Sequence, residues 1–143
     1  MIQQGLTNSF KQEMLQAGQN LATDTLRMAL YTALSDIGSL TTAYTTANEV
    51  VGTGYVAGGV AVTGATISTD TTGPNAGTVY VDFNDVAWPG ANFTARGALI
   101  YNVTRSNKSV AVLDFGSDKT FSSTSNTVAM PANTATTALI RFP

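Results

Sequence analysis

The chain lacks several of the residues on which protein chemistry most often depends. Among its 143 residues there is no cysteine and no histidine, which excludes disulfides, thiolate nucleophiles and the commonest general base. Charged side chains make up only 11% of the sequence, against about 25% in an ordinary soluble domain. Seven basic and nine acidic residues leave a net charge of −2, which argues against a nucleic-acid partner recognised through a basic surface.

Long hydrophobic runs are also missing. No segment reaches the roughly 18 apolar residues of a membrane-spanning helix, and the N-terminus has neither the basic nor the apolar region of a signal peptide. We therefore expect no membrane partner. A surface with few charges is poorly protected against association, so the composition favours a non-enzymatic protein that acts within an assembly and needs no cofactor.

The N-terminal region carries the only helical pattern. Four apolar residues recur there at helical spacing, namely Leu6, Phe10, Met14 and Ala17. They predict a helix over about residues 7–17. Ser9 and Gln12 have the spacing of a capping box. Gly18 is placed to end the helix in a left-handed conformation.

From Thr25 onward the apolar pattern has a period of two, which predicts β-strands. Short strands at intervals of about 8–12 residues favour an all-β fold, an antiparallel β-sandwich of jelly-roll or immunoglobulin-like type. We expect roughly seven to nine strands in a single domain spanning residues 1–143. The candidate core residues are Leu26, Met28, Leu30, Val79, Val81, Phe83, Leu99, Tyr101, Val112 and Ile140.

The first strand, from Thr25, is expected to be half-buried, with Leu26, Met28 and Leu30 on its inner face. It is followed by a long stretch, residues 32–54, that is rich in small and hydroxyl side chains. Loops of this length without regular structure are uncommon in compact domains. We expect an ordered excursion anchored by Leu40 and Tyr44.

A glycine motif and two carboxylate pairs resemble ligand sites, but turns explain each of them as well. Residues 52–57 fit the pattern G-x-G-x-x-A, but the next residues read as strand, so turn glycines are favoured over a dinucleotide site. Two carboxylate pairs, Asp82 with Asp85 and Asp114 with Asp118, have oxygen ligands suited to calcium. Turn formation is the commoner use of such residues, and no metal site is predicted.

Aromatic residues are the remaining candidates for a binding surface. Trp88 and four tyrosines have side chains suited to a sugar-binding face, namely Tyr44, Tyr55, Tyr80 and Tyr101. Aromatic side chains more often pack in cores or subunit interfaces. Trp88, before the Pro89–Gly90 turn, is expected to close one end of the sandwich.

Six segments together resemble a family of small virion proteins of tailed bacteriophages. The order and spacing of these segments match the family over most of residues 5–121. The six segments are Leu6–Leu15, Asp24–Thr32, Asn48–Gly59, Asp85–Trp88, Thr94–Asn102 and Ala111–Gly116. The last twenty residues depart from the family pattern, since Pro131–Ala135 stands where members tend to have a glycine between two strands.

The resemblance implies a non-enzymatic structural protein located in the virion. Its expected partners are other virion proteins, the major capsid protein and copies of itself, for a decoration or cement protein on the head lattice. The alternative within the particle is a protein of the tail, neck or fibre. The alternative from another class is a carbohydrate-binding module for the host surface.

The N-terminal segment supplies the predicted assembly contacts. Ile2 is apolar and has no obvious local partner, and terminal segments are disordered unless something ties them down. A neighbouring subunit that buries Ile2, together with part of the stripe of Phe10 and Met14, would provide such a tie. The other interpretation is that the helix covers its own sheet.

Overall fold

Ten β-strands and one α-helix form the fold in the computed structural model, which describes residues 1–143. Strands hold 38% of the residues and helical segments 8%, and every strand pairing is antiparallel. The predicted all-β, sandwich-like fold with one N-terminal helix is therefore confirmed. In chain order the elements are β1 Gly5–Leu6, α1 Asn8–Leu15, β2 Leu26–Tyr31, β3 Val60–Val62, β4 Thr66–Thr69, β5 Val79–Asp82, β6 Val86–Ala87, β7 Phe93–Asn102, β8 Lys108–Phe121, β9 Thr127–Val128 and β10 Ile140–Phe142.

The strands form three sheets. The largest has five strands in the order β1-β8-β7-β2-β3, a second has the order β10-β5-β4, and β6 pairs with β9. The count exceeds the predicted seven to nine because β1, β6 and β9 have only two residues each. Such short strands carry too few residues to show a period of two.

Helix α1 is shorter than predicted and ends in a different way. It spans Asn8–Leu15, and the hydroxyl of Thr7 caps its start by accepting from the Phe10 N–H. At its end the left-handed residue is Ala17, with a φ of 54°, and not Gly18. The Gly18 N–H donates to the Glu13 carbonyl at 2.7 Å and the Ala17 N–H to the Met14 carbonyl at 3.4 Å. This is the hydrogen-bond pattern of a Schellman motif.

We expect Ala17→Gly to stabilise the protein by about 0.5–1 kcal/mol, because a left-handed alanine is strained and glycine is not. Urea unfolding measures the change. Ala33→Gly is the matched control, since Ala33 is exposed and its φ is not positive. The control should lose stability or leave it unchanged. A stability loss in both variants would contradict the strain at Ala17.

Both faces of the five-stranded sheet are buried, so the prediction of a half-buried first strand is wrong. Met28 lies opposite Ile100 and Leu30 opposite Ala98, and these side chains belong to the main core. The other face carries a second, smaller core, which consists of Ile2, Ala29, Tyr31, Ile37, Leu99, Tyr101 and Val112. The N-terminal segment and the loop between β2 and β3 supply the cover on that side.

The predicted core residues therefore divide between two cores. Six of them lie in the main core, namely Leu26, Met28, Leu30, Val81, Phe83 and Ile140. Leu99, Tyr101 and Val112 are buried on the opposite face, because neighbouring residues of a strand point to opposite sides. Val79 is only partly buried.

Candidate assembly surface

Ile2 is tied down by its own chain. Its side chain is 3% exposed in the second core, and it lies so close to Gly97 that a Cβ there would approach Ile2 Cδ1 to 2.9 Å. The Gln3 N–H donates to the Ile37 carbonyl at 2.9 Å, and β1 then pairs with β8. The partner that the sequence did not reveal is thus β7 of the same chain.

Phe10 and Met14 differ in exposure although they share one helix face. Phe10 is fully buried in the main core, whereas Met14 is only partly buried against it. Of the three predicted assembly contacts, only Met14 retains substantial surface in a single chain. That Ile2, Phe10 and Met14 contact a neighbouring subunit stays a prediction.

The loop between β2 and β3, residues 32–59, is held on the sheet by one buried carboxylate. Glu49 accepts hydrogen bonds from the Tyr44 hydroxyl at 2.7 Å, from the Tyr55 hydroxyl at 2.6 Å and from the Gly58 N–H at 2.7 Å. Tyr55 also accepts from the Leu30 N–H at 2.8 Å, which joins this network to β2. Three donors on one acceptor group satisfy the charge in a buried site.

Glu49 was not among the predicted functional residues, although the sequence carries a signal for it. It is the only charged residue between Asp36 and Asp70. A charged residue within a long uncharged stretch has no neighbouring charge in the sequence to pair with, and a charge that folding buries needs hydrogen-bond partners.

Stacking and further hydrogen bonds attach the loop to the sheet. The rings of Tyr44 and Tyr101 stack with centroids 4.7 Å apart, which confirms Tyr44 as an anchor. The Tyr101 hydroxyl donates to the Gly58 carbonyl at 2.8 Å, and Arg27 donates to the carbonyls of Gly58 and Gly59. Leu40 was predicted as the second anchor, but it is 83% exposed, so that prediction is wrong.

The attached loop presents apolar side chains to solvent. Four of its large apolar residues are strongly exposed, namely Leu34, Leu40, Val51 and Val56. Val51 is 96% exposed, although its neighbours Glu49 and Val50 are buried. An exposed apolar side chain on a well-anchored loop costs little entropy when a partner covers it.

Burial raises the pKa of four tyrosines of β2, β7 and the loop between β2 and β3 above the ordinary value of 10, namely Tyr31, Tyr44, Tyr55 and Tyr101. The folded chain then holds phenolic protons that the unfolded chain has released. This contribution to stability is complete below pH 10 and is lost as the pH rises above it. In a Tyr80→Phe variant, whose only tyrosines are these four, we expect tyrosinate absorbance to rise in the same alkaline transition in which the circular dichroism is lost. Tyrosinate formation well before unfolding of that variant would contradict the structure.

A second polar cluster lies where the β7–β8 turn meets the segment after α1. Asp24 Oδ2 accepts from Arg105 Nε at 2.9 Å, from Asn102 Nδ2 at 2.8 Å and from the Asn20 N–H at 2.8 Å. Gln19 joins Asn102 to Glu13, and Glu13 pairs with Lys108 at 2.8 Å. The cluster connects the helix to the hairpin, so it is read as structural.

The hydrogen bond from Arg105, supported by the Asn20 N–H and Asn102, lowers the pKa of Asp24 from 3.8 to about 2. A lowered pKa stabilises the fold fully above pH 4, and this contribution is lost as the pH falls towards 2. We expect urea unfolding of the wild type to show a steeper loss of stability across this window than Asp24→Asn. Equal slopes would contradict an ionised, paired Asp24.

Three of the four carboxylates considered for calcium have protein partners, whereas the buried Oδ1 of Asp82 has no hydrogen-bond partner. Asp114 and Asp118 lie on either side of Arg96, at 3.4 Å from Nε and 3.8 Å from Nη1. Asp85 accepts from the Met130 N–H at 2.7 Å. Three or more residues of the types that ligate metals do not come together anywhere in the chain.

Neither Trp88 nor the glycine motif of residues 52–57 forms a ligand site. Trp88 is 1% exposed, and its ring packs edge-to-face on Phe121 with centroids 5.6 Å apart. Trp88 is therefore a core residue, in agreement with the interpretation that favoured packing, and its ring offers no face to a sugar. Residues 52–57 lead through Gly58 and Gly59 into β3, so no helix follows to meet a pyrophosphate.

Comparison of the chain with protein-family models, with curated proteins and with solved structures finds no match. The one α-helix has eight residues, so it is too short to span a membrane.

Proposed function

We propose that this chain is a non-enzymatic structural protein of a tailed-phage virion, a decoration or cement protein that binds the head lattice. The observation that carries the proposal is where the resembling segments lie. They supply α1, β2, β6, nearly all of β7, the inner part of β8 and the loop from Asn48 to Gly59. The resemblance thus follows the sheet and its cover, which form one structural unit.

The surface supports a role in assembly. Exposed apolar side chains are concentrated on the loop that Glu49 anchors, and charged residues are few throughout the chain. Interfaces favour apolar contacts and are depleted in charge at their centre, because burying an unpaired charge is costly. A protein with such a surface is suited to a densely packed lattice.

The test is to add the purified protein to particles assembled without it and to locate it in a reconstruction. We expect density at repeated positions on the head. Val51→Asp combined with Val56→Asp should reduce occupancy at least about tenfold, since each places a charge in the contact. Thr124→Asp, at an exposed polar position, is the matched control and should bind as the wild type does.

Three other results would contradict a role as a decoration protein on the head. Density in a ring at one vertex, or along the tail, would replace the decoration role with the neck, tail or fibre alternative. Binding to glycans and not to particles would favour the carbohydrate-binding alternative. Absence of binding to heads and tails, with the fold intact, would overturn the proposal.

A further inference from the structure

Strand β4 forms an open edge of the three-stranded sheet. It pairs only with β5. The Asp70 N–H donates to the Thr78 carbonyl at 2.9 Å, which sets the phase of the ladder. Because hydrogen-bonding residues alternate along an antiparallel pair, the backbone groups of Ile67 and Thr69 point away from β5. Neither residue has a backbone partner outside the ladder.

The other open edges are protected in familiar ways. β1 has two residues, β3 has three, and β10 has three and carries Arg141. Beyond its pairing with β1, β8 carries Asp114, Asp118 and Lys119. Shortness and charge are the usual devices that prevent edge-to-edge pairing. β4 has four residues and no charge, and residues 50–69 contain no charged side chain at all.

An apolar groove adjoins this edge. It has a volume of about 350 Å³ and lies between the end of α1 and the three-stranded sheet. Its apolar lining includes Met14, Leu21, Ile67, Val79, Val81 and Phe142. Ile67 is 51% exposed, so the outermost strand leaves an apolar side chain half exposed at the edge of the groove.

We propose that β4 pairs antiparallel with β4 of a second copy of this chain, across a two-fold axis. Antiparallel self-pairing brings each residue of the strand close to itself or to a near neighbour, so a charged strand would oppose like charges. An uncharged strand meets no such repulsion. The pairing gives the outward N–H and C=O groups of Ile67 and Thr69 partners in the other copy.

The same symmetry brings the two grooves together. In antiparallel pairs, directly opposed residues lie on the same face of the sheet. Ile67 of each copy therefore lies beside Ile67 or Thr69 of the other, on the face that carries the groove. The contact is isologous and closes at two copies, and it does not depend on the proposed place in a virion.

The lack of native cysteine makes the pairing directly testable. Single cysteines are introduced at each position of β4, and the full chain is oxidised and analysed without reductant. A two-fold axis places only one residue opposite itself, and the backbone phase allows this to be residue 67 or residue 68. We expect Ile67→Cys or Ser68→Cys to form the disulfide dimer at least about tenfold faster than Thr124→Cys, the exposed control.

A second measurement does not require a disulfide. Sedimentation should show a dimer in the wild type, and Ile67→Lys should raise its dissociation constant at least about tenfold. With the axis at residue 67 or at residue 68, the two lysines lie opposite or diagonal to each other on the same face of the sheet, so their like charges repel. Ile67→Thr is the matched uncharged variant and should weaken the dimer less. Circular dichroism confirms that each variant is folded, as expected at a half-exposed position.

Three results would overturn the proposal. The first is a wild-type chain that stays monomeric up to about 1 mM. The second is a dimer that Ile67→Lys leaves unchanged and whose cross-links avoid β4. The third is capture of an extended peptide of another protein by β4 while the chain itself remains monomeric, which would make β4 a docking edge for a different partner.

Discussion

Replacing Gly59 with alanine should destabilise the chain by more than about 3 kcal/mol, enough to prevent folding in a marginally stable domain. A Cβ on Gly59 would lie 1.7 Å from the carbonyl oxygen of Met28, and the residue has a φ of +71°. Both problems require backbone movement, because Gly59 lies against β2 at the start of β3. Urea unfolding, or the yield of soluble protein where no transition is seen, measures the loss.

Gly90 is the matched control for this substitution. Its φ of +72° is nearly the same, but a Cβ there would meet nothing within 4 Å. Gly90→Ala should therefore cost only the left-handed strain, about 1–2 kcal/mol. Equal losses in the two variants would show that β2 and the loop before β3 do not approach as closely as described.

Removing the carboxylate of Glu49 should have the second large effect. Glu49→Ala leaves the hydroxyls of Tyr44 and Tyr55 and the Gly58 N–H without their acceptor. A buried donor left without its acceptor costs about 1–3 kcal/mol, so the loss of the acceptor for three donors should cost more than about 3 kcal/mol. Amide hydrogen exchange should show lost protection in residues 44–59, while the β7–β8 pair stays protected.

Glu49→Gln tests whether hydrogen bonding or charge anchors the loop. Glutamine keeps one acceptor oxygen for Tyr55 and Gly58, and its amide donates to the Tyr44 hydroxyl, which also accepts. We expect a loss below about 1.5 kcal/mol. Full exchange protection of residues 44–59 in Glu49→Ala would contradict the assignment of Glu49 as the anchor.

Local pattern was sufficient for the helix and for most longer strands. The stripe of Phe10 and Met14 predicts α1 because helix periodicity depends only on the chain itself. The same holds for β2, β5, β7 and the start of β8, whose alternation extends over several residues. The predicted start of α1 is one residue early and its predicted end two residues late, because the N-cap, Thr7, and the last turn are set by hydrogen bonding.

The second core was not predictable from the same pattern. The alternation in β2 and β7 shows that each strand has two faces. It does not show whether one face or both are buried, because a strand covered on both sides has a similar sequence here. Ala29 and Tyr31 are buried because residues 32–59 fold back over them. That cover depends on contacts between residues distant in sequence, such as Tyr44 with Tyr101.

At the candidate site, the chemical character of the surface follows from the amino-acid sequence alone, but the arrangement of its residues does not. The lack of cysteine, histidine and charge limits what the surface can do, since side-chain chemistry follows from residue type alone. The folded arrangement was needed to show that Ile2 is covered by its own chain, that Glu49 holds the loop and that β4 is an open edge. Burial and strand neighbours are properties of the assembled chain, because each depends on which distant segments come into contact.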